Sequence, residues 1–197
     1  MITTEKEEIV KNEILLQAQK LFQQYGLKKT TMDEIAESCG KAKSTLYHYF
    51  CSKEDVFDAV VDMEMLNLRR HVKNKVEENK IMADKIKVYI LEFYKEIYQR
   101  TNLYRLIKND HIAEKLSKKN FRRMMDFETA YMTRIIEDGY DSGEYMSVDR
   151  SEIPWFSEMF LAGFLGTVKY TMEKDGFFDE KKITKFTEMF IDKLFKQ

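Results

Sequence analysis

The stretch 22–57, FQQYGLKKTTMDEIAESCGKAKSTLYHYFCSKEDVF, decides the fold of this 197-residue chain. Just before and into it, Ile14, Leu15, Ala18, Leu21, Phe22 and Tyr25 recur at helical spacing, giving a helix over about residues 5–25 one apolar face. Gly26 suits the left-handed position that closes a helix, with apolar Leu27 just beyond it, as in a Schellman ending. Thr31 followed three residues later by Glu34 makes a capping box for a second helix. That helix turns Ile35, Ala36 and Cys39 inward and stops at Gly40. A third short helix follows over roughly residues 43–49, with Leu46 and Phe50 as buried anchors, and Ser52 opens a fourth that runs to about residue 80. Two short helices joined through a glycine and braced by a longer one predict a helix-turn-helix unit.

Composition agrees. One proline and seven glycines punctuate the whole chain, too few turn residues for an all-β or doubly wound protein. The fold class expected is therefore all-α, with about nine helices. The 33 basic and 34 acidic residues leave a net charge of −1, which excludes a polybasic nucleic-acid coat but not a local DNA-binding face. Cys39 and Cys51 cannot make a disulfide framework for a chain of this size. The N-terminus shows no basic stretch followed by an apolar run, and the charge-free stretch 159–168 is far short of a bilayer span. The expectation is a cytoplasmic protein without membrane contact.

Two domains are expected, a helix-turn-helix domain over 1–52 and a helical domain over 53–197, with 53–80 as a connecting helix. Residues 81–197 hold 20 aromatics and 8 methionines against 6 and 4 in 1–80, about twice the density per residue. Further helices are expected over about 84–100, 103–110, 118–138, 154–174 and 180–195. Pro154 fits a first turn, where its missing N–H costs nothing, and Asp179 is a good N-cap for the last helix.

Gly26, Thr30-Thr31, Ile35-Ala36, Gly40, Thr45-Leu46-Tyr47, Phe50 and Ser52-Lys53 together resemble the DNA-binding segment of the TetR-type (TetR/AcrR) regulator family, over roughly 45 residues. The resemblance implies a homodimer of nine-helix subunits, each with an N-terminal DNA reader and a C-terminal ligand-binding domain. It also implies that a ligand shifts the fourth helix and respaces the two recognition helices, a population shift. Release from DNA by the ligand follows the family majority, which represses.

A recognition helix presents its N-terminal residues to base edges in the major groove. Here these are Lys41, Ala42, Lys43, Ser44 and Thr45. Lys43 suits a guanine edge or a phosphate, and Ser44 and Thr45 are short enough for close approach. The resemblance puts Tyr47 and His48 on phosphates or bases. Thr31 starts a helix whose N-terminus can hold a phosphate, and Lys53 with Ser52 offers a second such place. Residues 26–53 carry Lys28, Lys29, Lys41, Lys43 and Lys53 against Asp33, Glu34 and Glu37, a local balance of +2. Such contacts make binding fall steeply with salt. Lys28 and Lys29 fit a solvated loop equally well, and Tyr49 fits packing better than contact. Two departures stand out. Lys41-Ala42 gives the recognition helix no side-chain N-cap, and Glu5, Glu7 and Glu8 make a minor-groove arm doubtful.

In the second domain the helix over 154–174 is apolar nearly all round and needs burial on both sides. Together with the last helix it resembles the family's dimer-forming pair, with Phe160, Gly163, Phe164, Gly166, Phe186 and Phe190 as interface candidates. An intramolecular core is the plainer reading of the same residues. Tyr89, Phe93, Tyr94, Tyr98, Tyr104, Met125, Tyr131 and Met159 are candidates to line a pocket for an unknown small, apolar or aromatic effector. Ordinary core is again the alternative.

The chain is expected to be no enzyme and to hold no metal or cofactor. None of its three histidines follows a glutamate at i−3, as a di-metal helical bundle requires, and no H-E-x-x-H, G-x-G-x-x-G, P-loop or G-x-S-x-G occurs. Two other readings stay open: a redox switch at Cys39 or Cys51, and a DNA binder of the same fold controlled by a protein partner or by nothing. An inward thiol at Cys39 speaks against the first.

Overall fold

The computed structural model describes residues 2–99, 111–144, 148–174 and 180–195. Among them are eight α-helices, one short 3-10 turn and no strand. The helices are α1 Ile2–Tyr25, α2 Met32–Ser38, α3 Lys43–Tyr49, α4 Lys53–Glu77, α5 Met82–Gln99, α6 His111–Asp141, α7 Ile153–Lys174 and α8 Glu180–Phe195. The 3-10 turn Arg150–Glu152 leads into α7. The helix expected over 103–110, with Tyr104, and the cap Asp179 lie outside the described residues. The α6 helix begins at His111 rather than near residue 118, and α4 ends at Glu77, three residues short of the expectation.

The described residues fall into two compact units, one of 2–66 with 111–121 and one of the remainder. The first unit thus keeps the first half of α4, beyond the expected boundary at residue 52. The reason is packing. Val56, Phe57, Val60 and Val61 of α4 are buried in one cluster with Ile14, Leu15, Ala18 and Phe22 of α1, Ile35 and Ala36 of α2, and Leu46 of α3. Phe22 and Phe57 meet edge to face with ring centroids 5.3 Å apart. Seven-residue helices such as α2 and α3 do not persist alone in water, so this shared core is what makes them helical.

Local signals set the ends. Thr31 Oγ1 accepts from the Glu34 N–H at 3.2 Å, and the Thr31 N–H donates to Glu34 Oε2 at 2.8 Å, the expected capping box. Gly40, at φ 62°, closes α2 as a full Schellman motif: its N–H donates to the Glu37 carbonyl at 2.9 Å and that of Lys41 to the Ala36 carbonyl at 3.0 Å. A Cβ at Gly40 would meet nothing within 4 Å, so the backbone angle rather than space calls for glycine there. Gly26 differs from the expected Schellman ending. Its N–H donates to the Phe22 carbonyl at 3.0 Å, the simpler left-handed form, while Leu27 is buried as expected. Tyr25 is 51% exposed instead of lying on the apolar face, because the chain turns away there and Leu27 fills the core.

In the second unit α5 packs on α7 and α8. A second Schellman ending, with the Glu144 N–H on the Gly139 carbonyl at 2.9 Å, closes α6. It sends the Glu144 carboxylate back to accept from the Met82 N–H, at 2.9 and 3.1 Å, which caps α5 across 62 residues of sequence. Among the described residues no helix is long and apolar enough to cross a membrane.

Candidate functional site

The outer face of α3 follows from its period. Leu46 is fully buried and Phe50 nearly so, and Tyr49 packs against the same cluster. Ser44 and His48 on the opposite side are exposed, as are Tyr47, Lys43 at the helix start and the capping residue Ala42. Thr45 and Lys41 are half-buried. Ala42 makes no side-chain cap, so the first turn of α3 keeps backbone N–H groups open toward solvent.

Electrostatics sort the lysines. Lys43 Nζ lies 2.7 and 3.0 Å from the two carboxylate oxygens of Asp33, which raises its pKa through the hydrogen bond and then the charge. Both partners are exposed, and a pair of that kind contributes little net stability, so Lys43 can exchange Asp33 for a phosphate. Lys41 pairs with Glu13 of α1 at 3.0 Å. Lys28 and Lys29 are exposed and bond no partner among the described residues. Thr31 is occupied by its capping box, with Glu34 drawn over the same end of α2.

Lys53 is placed differently from the expected phosphate contact. Its ammonium donates to the carbonyls of Leu27, Lys28 and Thr30 at 2.9, 3.2 and 3.1 Å. An ammonium has three donors, and all three are engaged. Lys53 therefore ties the start of α4 to the turn between α1 and α2.

The pocket candidates separate. Phe93 and Tyr94 are buried and pack against Phe164, edge to face at 6.3 Å and tilted at 6.0 Å between centroids. Met125 is half-buried, and the side chains of Tyr98 and Tyr104 lie outside the described residues. Met159 is 47% exposed on α7. Tyr89 and Tyr131 do line a cleft of about 180 Å³, together with Arg69, Val72, Lys73, Phe127 and Glu128. Inside it Glu128, 3% exposed, takes Arg69 Nε on one oxygen at 2.8 Å and the Tyr89 hydroxyl on the other at 2.9 Å. Burial first, then the Glu128 charge, push the Tyr89 phenol well above its ordinary range, so it stays a donor. Burial and Glu77 act likewise on Tyr131. Arg69, Lys73 and Glu128 escaped sequence reasoning, because α4 and α6 meet across 59 residues that carry no shared motif.

The interface candidates separate too. Phe164 faces the core of its own chain, held by Phe93 and Tyr94, and does not belong to the outer face. Phe160, Phe186 and Phe190 form an outward ladder, with centroids 5.5 Å apart for Phe160–Phe190 and 6.4 Å for Phe186–Phe190. Phe186 is 57% exposed, and Trp155 and Met189 are exposed too. A Cβ on Gly163 or Gly166 would meet nothing within 4 Å, so that side of α7 is bare. Cys39 is half-buried, and burial raises its thiol pKa, which favours the inert form.

The family pattern described as "Bacterial regulatory proteins, tetR family" matches residues 14–60, the span from the first core residue of α1 to Val60 of α4. Over that segment the chain matches the TetR family. It is 28% identical over 139 residues to the HTH-type transcriptional regulator YhgD of Bacillus subtilis, covering 69% of this chain and 72% of that one. It is 26% identical over 203 residues to the HTH-type transcriptional regulator QacR of Staphylococcus aureus, covering 95% of this chain and 99% of that one. The crystal structure of a transcriptional regulator from Cytophaga hutchinsonii superposes with a TM-score of 0.69 at 26% identity, covering 97% and 99% of the two chains. The matched segment and these relatives support a DNA-binding transcriptional regulator as the class of this chain.

Proposed function

We propose that this TetR-family regulator is a cytoplasmic repressor that grips a palindromic operator as a homodimer and lets go when a small molecule with an apolar or aromatic body binds the second unit. The observation that carries the reading is the outer face of α3. Lys43, Ser44, Tyr47 and His48 stand exposed together on a helix anchored by a fully buried Leu46 and closed in by the Gly40 turn. Arginine or lysine on a guanine edge, short hydroxyl side chains near bases, and a tyrosine on a phosphate are the chemistry of major-groove readers. Lys28, Lys29 and Lys41 supply the sequence-independent attraction.

A dimer is supported by the outward ladder of Phe160, Phe186 and Phe190 beside the bare glycines of α7, since an exposed aromatic patch of that kind calls for a partner. Two readers about one DNA turn apart then match a two-fold operator. Control without a small molecule, or by a protein partner, draws support from the solid packing of Phe93, Tyr94 and Phe164 and from a cleft smaller than the roughly 300–1,000 Å³ of ordinary ligand pockets.

Gel shifts with fragments from around the chain's own gene, at two salt concentrations, test the reading. Specific retention that weakens with salt, with a tenfold or greater loss in Tyr47→Ala, is expected. Specific retention untouched by both Lys43→Ala and Tyr47→Ala overturns the assignment of α3 as the reader.

A further inference from the structure

We infer that the cleft formed by α4, α5 and α6 is a binding site for a small amphipathic anion, a carboxylate carried on a body about the size of one aromatic ring. The inference deepens the effector reading above and rests on it only for the consequence at DNA.

The argument is a balance of donors and acceptors. Glu128 is the acidic group of the cleft, and both of its oxygens already accept, one from Arg69 and one from Tyr89. The Tyr131 hydroxyl reaches toward Glu77 at 3.5 Å. What remains unused is donors alone. Arg69 engages Glu128 through Nε only, and its terminal amino groups bond nothing among the described residues. Lys73 likewise bonds nothing among the described residues. The two cations stand one helical turn apart on α4, on one face, at the cleft. A cation entering here would have to displace Arg69 from a carboxylate that is 3% exposed, leaving a buried charge unpaired, which is costly. An anion instead completes the set.

Size and walls give the body. A closed cavity of about 150 Å³ holds a benzene molecule, and this cleft measures about 180 Å³. Val72, Tyr89, Phe127 and Tyr131 supply apolar and aromatic walls. The Arg69 guanidinium already lies 4.4 Å from the Phe127 ring centroid, a cation–π contact that holds it at the cleft.

Titration calorimetry of the full chain with three near-isosteric probes tests this: phenylacetate, 2-phenylacetamide and 2-phenylethylammonium. Phenylacetate is expected to bind at least tenfold more tightly than the amide, and the ammonium not measurably. Arg69→Gln is expected to weaken phenylacetate tenfold or more. Lys73→Met, at an exposed position, is expected to weaken it several-fold with the thermal unfolding curve unchanged, which keeps the test valid if Arg69→Gln folds poorly. Equal affinities, tighter binding of the ammonium, or no binding of any probe overturns the inference and leaves Arg69–Glu128 a structural pair. A gel shift with phenylacetate separates the two claims. Calorimetric binding without operator release keeps the anion site and removes the effector role; loss of specific DNA binding by the free chain removes the regulator reading and leaves the calorimetry standing.

Discussion

The two units handle charge in opposite ways. In the helix-turn-helix unit Lys43–Asp33 joins two exposed side chains, and Lys41–Glu13 joins a half-buried lysine to an exposed glutamate. In the second unit Arg69, Glu128 and Tyr89 form a linked set around a carboxylate that water barely reaches. The exposed bridges cost little to open, so their lysines remain available to phosphates. The enclosed set is fixed, because removing either partner strands a desolvated charge. A DNA reader needs charges that can change partners, while a ligand site needs charges that hold still. Lys53 stands between the two cases: it lies in the reader unit, yet its ammonium is locked onto three carbonyls.

That contrast can be broken from the strong end first. Arg69→Met is expected to cost about 2–4 kcal/mol of stability, somewhat under the roughly 3–5 kcal/mol of a fully buried pair because Arg69 keeps some water contact. Urea unfolding followed by circular dichroism measures it, and a cost under about 0.5 kcal/mol would show the set to be no more fixed than the surface bridges. Lys53→Met is expected to cost about 1–3 kcal/mol through loss of charge-assisted bonds to the carbonyls. It should also weaken operator binding while leaving the slope of log affinity against log salt unchanged. A slope reduced by about 0.9 would make Lys53 a phosphate contact after all. Lys43→Ala gives the smallest structural effect, with the unfolding curve unmoved. Here the salt slope should fall by about 0.9 if Lys43 holds a phosphate, or base preference should relax with the slope intact if it reads a guanine.

How far the sequence reached depends on how far apart the interacting residues are. Thr31 and Glu34 are three residues apart, and Gly40 acts on carbonyls within the same turn, so the whole of α2 and the start of α3 could be placed from local chemistry. Leu46 was legible as an anchor because helical period opposes it to Ser44 and His48. Tyr25 shows the limit within that unit: its period was right, but the chain left the helix there and Leu27 took the buried place. In the second unit period says only that Phe164 and Met159 lie on different sides of α7. It does not say that Phe164 is the inner one, held by Phe93 and Tyr94 of α5. The Glu144 cap on Met82 and the Arg69–Glu128 pair join residues 62 and 59 positions apart, and no pattern in the chain announces them.

By itself the sequence determined the short helices α2 and α3, the capping box at Thr31 and the turn at Gly40, because hydrogen bonds within three to five residues and a 3.6-residue period are written into neighbouring side chains. Tertiary structure alone decided that Lys53 is a brace, that Phe160, Phe186 and Phe190 face outward, and that Arg69, Lys73 and Tyr89 meet around Glu128. Each of those depends on which helix lies alongside which. Side chains of many shapes satisfy that packing, so no short motif encodes it.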